Sequence, residues 1–218
     1  PALWRDHLLY PSDGELGVLA RADAYLIVWI LSWVAHAVHD PLHLFDGNIF
    51  HPAPLSLAFS EHLIGYLPLF GPTYWLSRNP ILALNVAAVA TYPLSAFAAY
   101  LLVRRFCGAA PAVLGGLLFA FSGARYFAPP HYHMLGMQWF PLIVLSLDAW
   151  LGTGRTVVAV AFALLVALQL LTSVYYMYAV ALLLVLAVPL IAFRHRARLA
   201  RVRRRDIVLV AAFEAAVV

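Results

Sequence analysis

Seven residues have the types and settings that chemistry at a membrane surface requires: Asp23, Glu61, His62, Arg125, His131, His133 and Gln138. Asp23 precedes an apolar run beginning at Ala24. A carboxylate there can accept a proton from an attacking hydroxyl or hold a cation. The position also suits a helix N-cap, so capping alone explains it equally well. Glu61, beside His62, follows Ser60 at the predicted start of a second short helix. The dipole of a first turn favours an ionised carboxylate whether or not it has a catalytic task. Arg125, within Ser122-Gly123-Ala124-Arg125-Tyr126, stands at one end of an apolar run. A guanidinium there can clamp a phosphate bidentately, snorkel to headgroups or pair with a loop carboxylate.

His131 and His133 flank Tyr132, after two prolines and ahead of Gln138-Trp139. In an extended loop residues i and i+2 point the same way, so with Glu61 or His62 the pair can surround a divalent metal. Hydrogen bonding to a sugar or phosphate is the alternative. No HExxH pattern or cysteine pair accompanies them, so no resident cofactor is expected, with a divalent ion left open. His36, His39 and His43 close the first short helix, where interfacial histidines need no ligand. Gln169, Ser173 and Tyr176 recur at helical spacing and are expected to bond other helices or line the floor of a site.

The elements that must hold these residues are helices in lipid. With 64% hydrophobic residues, 11% charged and a mean hydropathy of +0.86, the composition is that of a polytopic membrane protein. Runs at 80–103, 111–127, 134–150 and 156–193 carry few charges apart from Arg125 and Asp148. A crossing takes about 20 helical residues, so 156–193 should fold as two helices broken near Leu171-Thr172-Ser173. This predicts five crossings, with a sixth starting at Ile207. Residues 24–38 and 61–77 are short, and the first places Trp29, Trp33 and His36 on one face, as in a helix lying in the headgroup layer. The two could instead form a crossing hairpin, against which stands the loop between them, with Asp40 and Asp46 and no arginine. The predicted fold is therefore all-α: a transmembrane helix bundle over 80–218, preceded by an external segment, 1–79, with short interfacial helices. Pro11 to Gly14 read as a turn. A start at Pro1 and an end inside an apolar run raise the expectation of a helix before and more helices after.

Arginines orient the bundle. Arg104 and Arg105, Arg155, and the seven arginines between 194 and 205 supply 10 of the 14 basic residues, and they share one side if every run crosses. That side is cytoplasmic by the bias of Arg toward inner loops. The other face receives seven of the ten acids and eight of the nine histidines. The net charge of +4 thus reflects topology and attraction to lipid headgroups, with no nucleic-acid partner expected. Cys107 is the single cysteine, so no disulfide forms within the chain.

An acid ahead of Trp-Ile-Leu-Ser-Trp-Val-Ala-His-Ala, followed by Pro-Leu-His-Leu-Phe-Asp-Gly-Asn-Ile-Phe-His-Pro-Ala-Pro and Leu-Ala-Phe-Ser-Glu-His-Leu, resembles the first large external loop of bacterial GT-C membrane glycosyltransferases. Phe-Ser-Gly-Ala-Arg-Tyr-Phe, His-Tyr-His and Gln-Trp-Phe-Pro-Leu resemble the helices after that loop in the same group. The resemblance covers most of 20–180. It implies transfer of a sugar from a polyprenyl-phosphate carrier to a lipid, glycan or protein acceptor at the outer face of the bacterial cytoplasmic membrane. It also implies that Asp23 is the base or site organiser, although many members carry adjacent acids where Asp23 is flanked by Ala22 and Ala24. A transporter or flippase for a lipid-linked or polar solute is the competing class; it should place ionisable groups at mid-membrane. A structural subunit would give the polar cluster no role.

Overall fold

The computed structural model describes residue 5 and residues 7–9, 15–126 and 131–217. The turn expected at residues 11–14 and the prolines at 129–130 lie outside these. Among the described residues the chain is all-helical, without a strand. In chain order α1 is Glu15–Ala37, α2 Leu67–Ser77, α3 Pro80–Arg104, α4 Ala109–Ala120, α5 Gly123–Tyr126, α6 Trp139–Thr153, α7 Thr156–Leu170, α8 Val174–Arg194 and α9 Arg204–Val217. Short 3-10 helices at Pro41–His43, Ser56–Phe59, Ile64–Tyr66, Tyr132–Leu135 and Arg196–Arg201 connect them.

Three helical stretches, Pro80–Arg104, Tyr132–Thr153 and Val174–Arg194, are long and apolar enough to cross a membrane. The long run at 156–193 breaks between Leu170 and Val174, where its length requires. The run predicted at 111–127 differs: α4 has 12 residues, about 18 Å of rise. Phe121 and Ser122 are non-helical, and the Ser122 carbonyl accepts the Arg125 N–H to begin α5. Ser and Gly in succession weaken a helix at that point. With its 15 residues, α7 is likewise shorter than a full crossing. Exposed faces are apolar, with Leu114, Leu117 and Leu118 on α4 and Leu182, Val185 and Leu190 on α8. Apolar surface of this extent marks contact with a membrane or with a protein partner.

The chain divides into two compact units. Unit 1 comprises Pro1–Tyr92, Phe121–Gly136 and Leu171–Ser173. Its core gathers Ile27, Leu31 and Val34 from α1 with Tyr66, Phe70 and Leu84. The α1 spacing of four and three residues places those side chains on one stripe. Burying each contributes roughly 1.5–3 kcal/mol. Asn85 on α3 binds the 7–9 segment, accepting from the Leu9 N–H at 3.1 Å and donating to the His7 carbonyl at 2.8 Å.

Unit 2 comprises Pro93–Ala120, Met137–Leu170 and Val174–Val218. Here α7 packs on α6, α8 and α9, around Ile143, Leu147, Phe162, Val166 and Val180. Within this unit Gly116 lets α4 approach α3 closely, since a Cβ there would lie 2.5 Å from the Ala96 carbonyl oxygen.

Two local boundaries depart from the sequence reading. Asp23 is no N-cap, because α1 begins at Glu15 and carries Asp23 in its interior. Good helix formers at Glu15, Leu16, Leu19, Ala20 and Arg21 extend the helix past the polar residue. Ser60 does not start a helix either: its backbone is extended, Leu63 is left-handed at φ 52°, and α2 begins only at Leu67. Pro68 in the first turn of α2, where a missing N–H costs nothing, marks the true start. Glu61 therefore lies outside any helix dipole.

Candidate active site

Unit 1 brings together four of the seven residues singled out above. Asp23 projects from α1 with its side chain 54% exposed, and its Oδ2 lies 3.5 Å from His131 Nε2. The His131 and His133 rings meet edge to face with centroids 5.9 Å apart. His133 Nε2 lies 3.8 Å from Glu61 Oε2, and Glu61 Oε1 accepts a 2.9 Å hydrogen bond from the Ser173 hydroxyl. The result is a relay of acid, imidazole, imidazole, acid and hydroxyl. The two acid–imidazole separations are longer than hydrogen bonds, and burial keeps the His133 ring neutral beside Glu61. The histidines are not in the extended loop that was expected: they enter the 3-10 helix Tyr132–Leu135, which nonetheless keeps the rings adjacent.

Three segments distant in sequence support this relay. The Tyr66 hydroxyl donates to the Tyr132 carbonyl at 3.0 Å, fixing the histidine turn against the Ile64–Tyr66 turn. The Gly65 N–H donates to the Leu171 carbonyl at 2.8 Å, which brings the α7–α8 break alongside. Gly136 completes the junction, because a Cβ there would sit 2.6 Å from Thr172 Cγ2 and 2.9 Å from Tyr66 Cε2. Glu61, Ser173 and His133 are thus held by packed backbone.

The accessible and enclosed ends differ in character. Asp23 and His131 are about half exposed, whereas the Glu61 side chain is only 18% exposed. Loss of water raises the Glu61 pKa above its ordinary value, with the Ser173 hydrogen bond opposing the shift. A carboxyl so tuned exchanges protons closer to neutral pH than a free one. His62 is engaged elsewhere: its Nδ1 accepts from the Ile64 N–H at 3.3 Å, and its ring packs edge-on against Phe45. Burial lowers the His62 pKa and keeps the ring neutral.

Arg125 is not exposed, as a phosphate clamp or a side chain snorkelling to headgroups would be. It is 1% exposed; Nη2 donates to Thr91 Oγ1 at 2.6 Å and the guanidinium lies 4.4 Å above the Tyr92 ring. A buried guanidinium is stabilised by such a hydroxyl and aromatic face, and here it braces α5 against α3. Gln138 belongs to unit 2, just ahead of α6, where its amide is buried. Ser173 sits in the helix break, so the helical face expected for Gln169, Ser173 and Tyr176 is interrupted.

Among the described residues no group of three or more His, Cys, Asp or Glu is arranged to hold a metal ion. Sequence reasoning missed Tyr66 and Thr91, which act through packing and carry no local motif. Comparison of the chain with protein-family models, with curated proteins and with solved structures gave no match.

Proposed function

We propose that the chain is a membrane glycosyltransferase moving a sugar from a polyprenyl-phosphate carrier to an acceptor hydroxyl at the outer face of a bacterial cytoplasmic membrane. The observation that carries this reading is the Asp23–His131–His133–Glu61–Ser173 relay, with its exposed and enclosed ends. Three helices of membrane-crossing length and apolarity support the lipid setting.

The chemistry assigns the exposed end to the substrates. An acceptor hydroxyl approaching Asp23 gives its proton to the carboxylate as its oxygen bonds the anomeric carbon. The bond from that carbon to the phosphate oxygen breaks, and polyprenyl phosphate leaves with the electron pair, so the anomeric configuration inverts. His131, 3.5 Å from Asp23, hydrogen-bonds the departing phosphate. Glu61, with Ser173 and His133, is a positioning group that holds the histidine turn.

Full-length protein in liposomes, given labelled polyprenyl-phosphate sugar and a hydroxyl acceptor, tests this. Glycosylated product is expected, and Asp23→Asn should abolish it with the folded protein retained. Carrier movement across the bilayer without product would favour the transporter class, and wild-type turnover in Asp23→Asn would refute the catalytic assignment.

A further inference from the structure

Unit 2 holds a charged cluster that the transferase reading does not use. Asp148, on α6, has a fully buried carboxylate. Its Oδ1 lies 2.8 Å from His195 Nε2 and 3.5 Å from Arg194 Nε, and its Oδ2 lies 3.1 Å from Arg105 Nε. Removing a carboxylate from water costs several kcal/mol unless cations surround it, and here three ring or guanidinium groups do so. Gly152 makes room, since a Cβ there would sit 3.0 Å from His195 Cε1. Phe106 backs Arg194, whose guanidinium carbon lies 4.7 Å from the ring centroid.

The same residues, Arg105, Arg194 and His195, line a cavity of about 550 Å³ together with Ala197 and Arg198. Arg105 and Arg194 each turn Nε toward Asp148 and remain 46% and 48% exposed. A guanidinium carries five N–H donors, so most of those on both side chains are left over. One carboxylate offsets one guanidinium, and with Arg198 the wall retains two uncompensated positive charges. Concave, cationic and of ligand size, the wall presents forks that match phosphate oxygens.

The geometry points to a phosphate-binding site in this cavity. Arg105, Arg194 and Arg198 contact the phosphate, and Asp148 with His195 are positioning residues that aim two of those arginines. The phosphate is the diester of an anionic lipid headgroup or a soluble phosphate; both offer the same oxygens. Nothing in this assignment depends on the transferase reading.

Purified full-length protein in a zwitterionic detergent tests it, titrated in one arm with phosphatidylglycerol and in another with inorganic phosphate. Bound species are read by native mass spectrometry. Arg198 is exposed, so Arg198→Gln should fold, and it should weaken saturable binding at least about tenfold. Arg203→Gln, with the same charge change outside the cavity lining, should leave binding intact. Selective loss in the lipid arm identifies a headgroup site, and selective loss in the phosphate arm identifies a soluble ligand. Equal loss in both variants, or no saturable binding in either arm, overturns the proposal. Asp148→Asn makes the wall more positive yet should bind more weakly, because its arginines are released; tighter binding would overturn the positioning role.

Discussion

The Ser173 hydroxyl donates to Glu61 Oε1 across 2.9 Å, joining a break between two apolar helices to a loop 112 residues earlier. That bond favours the charged form of a carboxyl whose burial favours the neutral one. Ser173→Ala removes the opposing influence, so the Glu61 pKa rises further. If Glu61 must be ionised to hold the histidine turn, the acid limb of the transfer rate moves to higher pH, with the plateau largely kept. A pH–rate profile with an unmoved acid limb would separate Glu61 from the reaction.

The same burial has a signature in stability. Because the folded-state pKa of Glu61 is raised, the stability linked to it is fully present below the ordinary carboxylate value of 4.5. It is lost as pH rises through the folded value. Glu61→Gln cannot ionise, so this loss disappears. The variant should match wild type in thermal unfolding at pH 4 and exceed it at pH 8. A deficit at pH 8 would mean that the ionised Glu61 is stabilised by its neighbours, against the desolvation argument.

Much of this was legible from residue type, and the reasons for the rest are local. The break in the 156–193 run followed from bilayer thickness alone, and the nearness of Glu61 to His133 was open as one option for the 131–133 pair, whereas the Asp23–His131 contact appears only in the fold. The settings of Asp23 and Glu61 were not legible through capping rules. Helix propensity at 15–22 overrides the capping preference of Asp23, and Pro68 postpones the helix expected after Ser60. The Asp148 cluster was visible as a lone acid in an apolar run. Its partners Arg105, Arg194 and His195, however, come from the C-terminal ends of α3 and α8, and only packing reveals them.

Arg125 discriminates a brace from a clamp. Its side chain is among the largest fully buried of the described residues, and it donates to Thr91 and covers Tyr92. Arg125→Ala should destabilise the protein by roughly 2 kcal/mol or more, through the cavity left behind and the lost hydrogen bond to Thr91, whose hydroxyl keeps its bond to the Ala88 carbonyl. Under stabilising conditions its affinity for the lipid-phosphate donor should be close to wild type. A large loss of donor affinity with unchanged unfolding temperature would restore the clamp.

Gly154 is held by two independent constraints, which makes its substitution the strictest test of how the arginine-rich loop is seated in unit 2. It ends α6 in the left-handed region at φ +67°, donating its N–H to the Trp150 carbonyl at 2.7 Å. Glycine alone adopts that conformation without cost, and alanine there loses about 1 kcal/mol. A Cβ would also meet the Arg201 carbonyl oxygen at 2.3 Å, a contact with backbone that no side-chain rotation relieves. The Arg196–Arg201 turn must therefore move. Gly154→Ala should lower the unfolding temperature by more than the conformational term alone and speed trypsin cleavage between residues 196 and 205. Gly108→Ala is the matched control: a Cβ there meets only Pro111 Cδ at 3.9 Å, so neither readout should change. Equal cleavage rates in Gly154→Ala and wild type would show that the turn does not rest on this glycine.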